Sequence, residues 1–174
     1  STHGPIWKNN PNHIINLYDK WSQQETEKKV VIAYGTMYGN TKIMAEKVAE
    51  GIANNGVKKI KIHNVSKSSL SYIIRDIWDS KGIVLGSCTY NTELFPLMKA
   101  LVSALNNRQL KNRFLGIFGS YTWSGGALKE LEEYSNKCGL KKVLPSIEVQ
   151  GSPYTNDLEK AFELGKNMAM EILK

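Results

Sequence analysis

The stretch VVIAYGTMYGNT, residues 30–41, decides how this chain of 174 residues folds. Residues 30–34 are β-branched, aliphatic or aromatic, which predicts a strand buried on both faces. Gly35 ends that strand, and a loop of hydroxyl-bearing and small residues follows. Residues 42–52 then repeat apolar side chains at helical spacing. A strand, a short polar loop and a helix N-terminus in this order predict an anion site, because the first helical N–H groups lack intrahelical partners.

The composition of this loop narrows the kind of anion. A nucleoside triphosphate loop carries Gly-Lys-Ser/Thr and a Rossmann dinucleotide loop carries G-x-G-x-x-G, and residues 35–41 contain neither pattern. The loop offers neutral donors instead, on Thr36, Asn40 and Thr41. Neutral donors at a helix end fit a single terminal phosphate. The alternative is an ordinary strand–helix turn in which Thr41 is the N-cap residue.

Strands and helices alternate along the rest of the chain. Amphipathic segments separate four further predicted strands, at residues 57–65, 81–86, 114–119 and 142–149, and the last helix covers residues 157–173. This alternation predicts an α/β protein with a doubly wound parallel sheet and helices on both faces. Ligands of such sheets bind at the carboxyl ends of the strands, where the strand order reverses.

Two more loops follow predicted central strands. In residues 86–96, small side chains precede Tyr90, so a planar ring can approach the backbone and lie against the tyrosine. In residues 119–127, Trp123 stands between small residues, and an exposed indole is costly unless it covers something flat and apolar. The alternative is that Trp123 packs across the loops. We interpret Cys88 as a space-filling residue in preference to a redox-active thiol, because its sequence neighbours include no cation that would lower the thiol pKa.

These loops resemble the FMN-binding loops of flavodoxin-type proteins, in particular those of the flavodoxin domain of flavodiiron proteins (A-type flavoproteins). T-x-Y-G-N-T at residues 36–41 and S-Y-T-W-S-G at residues 120–125 carry the resemblance. HGPIWK at residues 3–8 and NPNHIINLYDKWS at residues 10–22 extend it to nearly the whole chain. Cys88 stands where the family usually has proline, and Thr122 where it usually has glycine.

The resemblance implies a flavodoxin-like doubly wound five-stranded parallel sheet of order 2-1-3-4-5, in which the loops after strands one, three and four converge. It also assigns FMN contacts to these three loops. The predicted cofactor-binding residues are Thr36, Met37, Tyr38, Gly39, Asn40 and Thr41; Ser87, Cys88, Thr89, Tyr90 and Asn91; and Ser120, Tyr121, Thr122, Trp123, Ser124, Gly125 and Gly126.

The function implied by the resemblance is electron transfer within a flavin-dependent oxidoreductase. The FMN domain of a flavodiiron protein takes electrons from a donor such as rubredoxin and passes them to a diiron site that reduces oxygen or nitric oxide. In that family the receiving diiron domain belongs to the facing subunit of a homo-oligomer. The isolated chain is expected to carry electrons only, with no catalytic residue of its own.

The same resemblance divides the chain into two parts. Residues 1–28 correspond to an N-terminal helix and linker, the remnant of a preceding diiron β-lactamase-like domain, and residues 29–174 to the FMN-binding domain. His3 matches a diiron ligand of the family, but the other ligands lie outside this sequence, so no metal site is expected in this chain.

Charge and composition limit the kinds of partner that are expected for this chain. The net charge of +7 lies entirely in residues 29–174, because residues 1–28 carry three lysines and three acids. A basic rim favours an acidic protein partner. Nucleic-acid signatures and apolar runs of membrane-spanning length are missing from the sequence, so neither partner is expected. The two cysteines lack metal-type spacing, which favours a cytoplasmic location.

Two alternative functions stay open at this level. The first is a stand-alone flavodoxin-like electron carrier or quinone reductase, against which the HGPIWK segment and the helix after it argue. The second, from another class, is a flavin-free interaction domain, which leaves Trp123 and the phosphate loop without a purpose. A response-regulator receiver is excluded, because such domains need acids at strand ends that here read Tyr34-Gly35 and Gly86-Ser87.

Overall fold

A computed structural model describes residues 4–174 of the chain, so the prediction made for His3 lies outside the described residues. The helices are α1 (Pro11–Ser22), α2 (Asn40–Asn54), α3 (Leu70–Trp78), α4 (Pro96–Asn106), α5 (Ala127–Cys138) and α6 (Thr155–Leu173). The strands are β1 (Glu27–Gly35), β2 (Lys59–Asn64), β3 (Ser80–Tyr90), β4 (Glu93–Leu94), β5 (Phe114–Tyr121), β6 (Lys141–Lys142) and β7 (Ile147–Gln150).

The sheet confirms the predicted flavodoxin-like α/β fold. Its strand order is β2-β1-β3-β5-β6, with β7 also pairing with β5, and all these pairs are parallel. When β4 is left out and β6 and β7 are counted together as the predicted fifth strand, this is the predicted order 2-1-3-4-5. The strand order reverses next to β1, which places the carboxyl ends of β1 and β3 side by side at the switch point.

Period-two alternation along the strands builds a core on each face of the sheet. In β1, Val30 and Ile32 point into the core under α2 and α6, whereas Val31 and Ala33 point into the core under α3, α4 and α5. Glycine lets the first pair of helices approach closely: a Cβ on Gly165 would lie 2.1 Å from the carbonyl oxygen of Val48 in α2.

Several predicted boundaries were wrong. The third strand does not end at Gly86: β3 continues to Tyr90 and turns back into β4, because β5 also extends and pairs Cys88 with Ser120. The predicted fifth strand, residues 142–149, is two short strands, β6 and β7, with Leu144 and Pro145 between them.

The first helix lies against the domain through polar contacts. Asn10 caps α1 by accepting a hydrogen bond from the His13 N–H at 3.2 Å. Every residue of α1 is at least partly exposed. The Trp78 indole Nε1 donates to the carbonyl of Trp21 at 3.2 Å and ties the end of the helix to α3. Among the helices of residues 4–174, none combines the length and apolar character that crossing a membrane requires.

Candidate cofactor site

The ends of three neighbouring strands bring the three loops together at the carboxyl edge of the sheet. Gly35 of β1 pairs with Ser87 of β3, and Cys88 pairs with Ser120 of β5. A cavity of about 350 Å³ opens between the loops that follow. Its lining residues come from all three: Met37, Tyr38, Thr89, Tyr90, Asn91, Thr92, Thr122, Trp123 and Ser124.

Large aromatic side chains stand exposed around this cavity. Tyr38 is 85% exposed, Trp123 is 84% exposed and Tyr90 is 48% exposed. Aromatic rings on loops bury 150–250 Å² each when they are covered, so leaving them in water forfeits a large stabilisation. Their position around one cavity therefore indicates a flat ligand that they cover.

The N-terminus of α2 forms the other part of the site. The helix begins at Asn40 and its N-cap residue is Gly39, so the alternative of a turn capped by Thr41 is wrong. Gly39 has φ of +95° and its N–H donates to Thr36 Oγ1 at 3.0 Å. Because Gly39 has no side chain and the first turn carries no acid, the positive end of the helix is open to an anion.

Three of the predicted contact residues have buried hydroxyl groups that bind within the protein. Thr41 Oγ1 and Ser120 Oγ lie 2.9 Å apart, which joins the first turn of α2 to the end of β5. The Ser87 hydroxyl donates to the Cys88 carbonyl at 2.9 Å and accepts from the Phe95 N–H at 3.1 Å. These hydroxyls position the loops, whereas Thr36 and the backbone of residues 37–40 border the open space.

A tight hairpin replaces the long second loop that was expected. Asn91 and Thr92 both have positive φ, of 55° and 64°, as the two central residues of a type I′ turn require. This backbone is held against α5: the Ala127 N–H donates to Thr89 Oγ1 at 3.2 Å, and a Cβ on Gly126 would lie 1.9 Å from the Thr92 carbonyl oxygen. Thr92 lines the cavity but was missed, because nothing in its sequence surroundings marks the turn.

Cys88 lies beneath the cavity and is only 7% exposed. Burial raises the pKa of its thiol, although backbone hydrogen bonds partly oppose that shift. A thiol that stays protonated is a poor nucleophile, so the geometry supports the space-filling interpretation.

An acid that the sequence did not single out lies beside the third loop. A Cβ on Gly125 would be 3.0 Å from Glu148 Oε1, so the carboxylate on β7 lies against the loop backbone. Parallel pairing of β5 with β7 brings Gly119 opposite Glu148 across many intervening residues. Sequence separation hides this neighbour, and it places a negative charge next to the candidate site.

His63 on β2 lies between two polar side chains. Its Nδ1 lies 3.1 Å from Ser68 Oγ and its Nε2 lies 3.0 Å from Asp76 Oδ2. The Asp76 carboxylate also forms ion pairs with Lys61 Nζ at 3.1 Å and with Arg75 Nη2 at 3.0 Å. Burial alone would raise the pKa of the Asp76 carboxyl, but the hydrogen bonds from these three side chains lower it below its ordinary value. The cluster surrounds the buried Asp76 carboxylate with partners that range from covered to exposed, and none of its members lines the candidate site.

Within residues 4–174, no group of three or more His, Cys, Asp and Glu side chains is arranged to hold a metal ion.

Comparison with known proteins places this fold and cavity in a family. Residues 32–165 match the family model described as Flavodoxin. Over 172 residues the chain is 33% identical to the anaerobic nitric oxide reductase flavorubredoxin of Escherichia coli O1:K1 / APEC. The matched region covers 98% of this chain and 36% of that protein. The chain thus spans about a third of the length of this curated relative.

Two solved structures have the same fold. Rubredoxin oxygen:oxidoreductase from the anaerobe Desulfovibrio gigas superposes with a TM-score of 0.88 at 25% identity, covering 93% of this chain and 40% of that one. The flavodiiron protein from Giardia intestinalis gives a TM-score of 0.87 at 23% identity, covering 95% and 41%.

The chain belongs to the flavodoxin family, as a flavodoxin-like FMN domain homologous to the C-terminal domain of flavodiiron proteins. The family predicted from the three loops is confirmed. The neutral donors around the α2 N-terminus and the exposed aromatic rings fit the two ends of FMN, a phosphate and a flat ring system.

Proposed function

We propose that the cavity at the carboxyl edge of the sheet holds FMN through the three predicted loops, and that this chain relays electrons as the FMN domain of a flavodiiron oxidoreductase. The observation that carries the proposal is a cavity of about 350 Å³ lined by three exposed aromatic rings, together with the open N-terminus of α2 that follows directly after the lining residues Met37 and Tyr38. One feature fits the phosphate and the other fits the ring, so the chemistry of the site matches both ends of the ligand.

The phosphate end would be held by neutral donors. Thr36 accepts from the Gly39 N–H, which leaves its own hydroxyl hydrogen available for an anion. The first three N–H groups of α2, on Asn40, Thr41 and Lys42, have no acceptor within the helix and point out of its N-terminus. Thr41 itself contributes through its backbone, since its hydroxyl is buried against Ser120.

The ring end would be covered by aromatic side chains and met by backbone. Trp123 and Tyr90 flank the cavity and exclude water from the faces of the ring. The backbone of residues 121–126, together with Ser87, Cys88, Thr89 and Asn91, would meet its edges. FMN supplies the exchange of electrons, and the protein supplies binding, orientation and the local field.

The partners and the terminal reaction form the finer part of the proposal. The names of the homologues, flavorubredoxin and rubredoxin oxygen:oxidoreductase, support a rubredoxin-type donor. Electrons would then pass to a diiron site on a facing subunit of a homo-oligomer, which would reduce oxygen or nitric oxide in the cytoplasm. Residues 1–28 would connect this FMN domain to the diiron domain of the parent protein.

The test is a fluorescence titration of the apo-protein with FMN and, in parallel, with riboflavin, which has the same ring and no phosphate. We expect the fluorescence of FMN to be quenched on binding. FMN should bind at least ~100-fold more tightly than riboflavin, since an anion at a helix N-terminus gains several charge-assisted hydrogen bonds. Equal binding of the two would refute the assigned phosphate site. Binding of neither ligand to folded protein would favour the interaction-domain alternative.

A pair of variants tests the ring end. Trp123→Ala should weaken FMN and riboflavin binding alike by roughly 10–100-fold, because base–aromatic stacking contributes about 1–3 kcal/mol per ring. Tyr18→Ala is the matched control, an exposed aromatic residue on α1. An unchanged affinity in Trp123→Ala would show that the indole does not cover the flavin.

A further inference from the structure

A second and larger cavity lies between α3 and α4, under the end of α1. Its volume is about 650 Å³, within the range of roughly 300–1,000 Å³ that is usual for small-molecule sites. We call it the α3–α4 groove and define it by Trp21, Leu70, Ile74, Trp78, Ala104 and Arg108, with Ser71, Arg75, Asp76 and Asp79 completing its lining. Nothing in the proposed electron-transfer function uses it.

The walls of the groove are flat and apolar. Trp21 of α1 is 37% exposed, and the Trp78 indole is held by the hydrogen bond from its Nε1 to the Trp21 carbonyl at 3.2 Å. Leu70 and Ile74 lie one helical turn apart on α3 and form the aliphatic wall between the rings. The Trp78 indole has its Nε1 occupied and the Arg113 guanidinium 5.9 Å from its ring centroid, so a ligand would meet the surface that the two indoles leave toward the groove. Aromatic rings in the lining favour a planar ligand over a branched aliphatic one.

The charges at the rim favour an anion. Both carboxylates of the lining are already neutralised: Asp79 pairs with Lys29, and Asp76 receives Lys61, His63 and Arg75. Arg108, by contrast, donates from Nη1 to the Ala104 carbonyl at 2.7 Å, the one hydrogen bond of its side chain within residues 4–174, and it meets no carboxylate there within 4.0 Å. Its remaining guanidinium donors stand at the α4 side of the groove.

We propose that the α3–α4 groove binds a small aromatic anion, with its ring between Trp21 and Trp78 and its carboxylate on Arg108. Planar apolar walls select the ring, and the guanidinium, with five donors in a fixed fork, selects the carboxylate. The site is independent of the FMN cavity, since the two share no lining residue.

The experiment is a titration of the FMN-loaded protein with indole-3-acetate, followed through the indole N–H resonances of Trp7, Trp21, Trp78 and Trp123. Trp→Phe variants at positions 7, 21 and 123 assign the signals. We expect saturable shifts at Trp21 and Trp78, while Trp123 at the FMN cavity and Trp7 stay in place. Indole, which has the same ring and no charge, should bind at least ~10-fold more weakly.

Two variants and a control test the assignment. Arg108→Gln should weaken indole-3-acetate binding about 10-fold, as expected for one charge-assisted interaction of about 1.4 kcal/mol. Ala104→Trp should fill the groove and abolish binding, with retained FMN binding showing that the domain is folded. Lys111→Gln removes a nearby exposed cation outside the lining and should leave the affinity unchanged.

Three results would overturn the proposal. Non-saturating shifts of all four indoles would indicate weak non-specific contact. Equal affinity for indole and indole-3-acetate would remove the role of Arg108. Unchanged binding by Ala104→Trp would place the ligand elsewhere on the protein.

Discussion

The two edges of the sheet handle their polar groups in opposite ways. At the carboxyl edge, the α2 N-terminus is open and Trp123 is 84% exposed above a cavity. At the amino edge, Arg113 is only 2% exposed, donates to the Gln24 side chain at 2.9 Å and to the carbonyls of Trp78 and Lys111. Both terminal nitrogens of the Arg113 guanidinium have acceptors, whereas its buried Nε has none within residues 4–174. The amino edge therefore leaves little open to a ligand, while open donors and uncovered rings mark the carboxyl edge.

The charges differ between the edges as well. Lysines at the strand starts gather at the amino edge, where Lys29 pairs with Lys59 and Lys141 pairs with Phe114 in the strand register. Near the cavity, Glu148 lies against Gly125, and Lys99 is paired with Glu93 at 2.8 Å. Part of the positive charge of the chain therefore lies away from the candidate site, and an acidic partner would also be attracted to the amino edge.

The largest effect should come from crowding the carboxyl edge. In Gly126→Ala, the new methyl group would meet the Thr92 carbonyl oxygen, so the hairpin and α5 must separate, at a cost of about 3 kcal/mol in unfolding free energy. FMN affinity should fall with it, because Thr92 and Trp123 line the same cavity.

Gly39→Ala is the matched control for that variant. Space around Gly39 is open, but its φ of +95° disfavours a side chain, so we expect a loss of about 1 kcal/mol. Urea unfolding of both variants checks the difference. Equal costs for the two glycines would contradict the close contact at Gly126.

At the amino edge, Arg113→Met should destabilise the protein and leave FMN binding unchanged. The change removes the donors to Gln24 Oε1 and to two carbonyl groups, which should cost about 2–3 kcal/mol while keeping the buried volume. Burial lowers the pKa of Arg113 to about 10, so the native contacts bear a desolvation cost that limits the loss. A change in FMN affinity beyond ~2-fold would show that the two edges are coupled.

A smaller effect with a pH signature is expected at Asp76. Its carboxyl has a pKa below the ordinary 3.8 in the folded state, so its contribution to stability is present above pH ~4 and is lost as the pH falls through the folded pKa. Asp76→Asn should therefore cost about 2 kcal/mol at pH 7, where Lys61, His63 and Arg75 lose a charged acceptor.

The measurement for Asp76→Asn is urea unfolding of both proteins from pH 7 to pH 3. The difference in unfolding free energy should stay constant down to pH ~4 and shrink below it, because only the wild type has a carboxylate to protonate. A difference that grows on acidification would reverse the assigned sign.

The smallest expected change concerns the field at the carboxyl edge. Removing one negative charge in Glu148→Gln should raise the flavin reduction potential, since reduction adds negative charge to the site. A unit charge about 10 Å away in water-like surroundings contributes about 0.4 kcal/mol, or roughly 20 mV for one electron. Glu159→Gln, an exposed acid on α6, is the control for a redox titration. A fall in potential would contradict the assigned effect of Glu148.

The architecture and the strand ends at which the candidate site lies could be predicted from the amino-acid sequence. The β-branched run before Gly35 and the helical spacing after Thr41 are local signals, since they depend on neighbouring residues along the chain. T-x-Y-G-N-T and the loop around Trp123 then identified the family, because they resemble the FMN loops of flavodiiron proteins.

The contacts between these parts could be seen only in the three-dimensional structure. The Thr41–Ser120 contact, the close approach of Gly126 to Thr92 and the carboxylate of Glu148 beside Gly125 join residues far apart in sequence. The β3 extension to Tyr90 depends on pairing with β5 and β4, and the α3–α4 groove depends on where α1 docks. Such contacts follow from strand register and helix packing, which arise between elements and leave no pattern within any one segment.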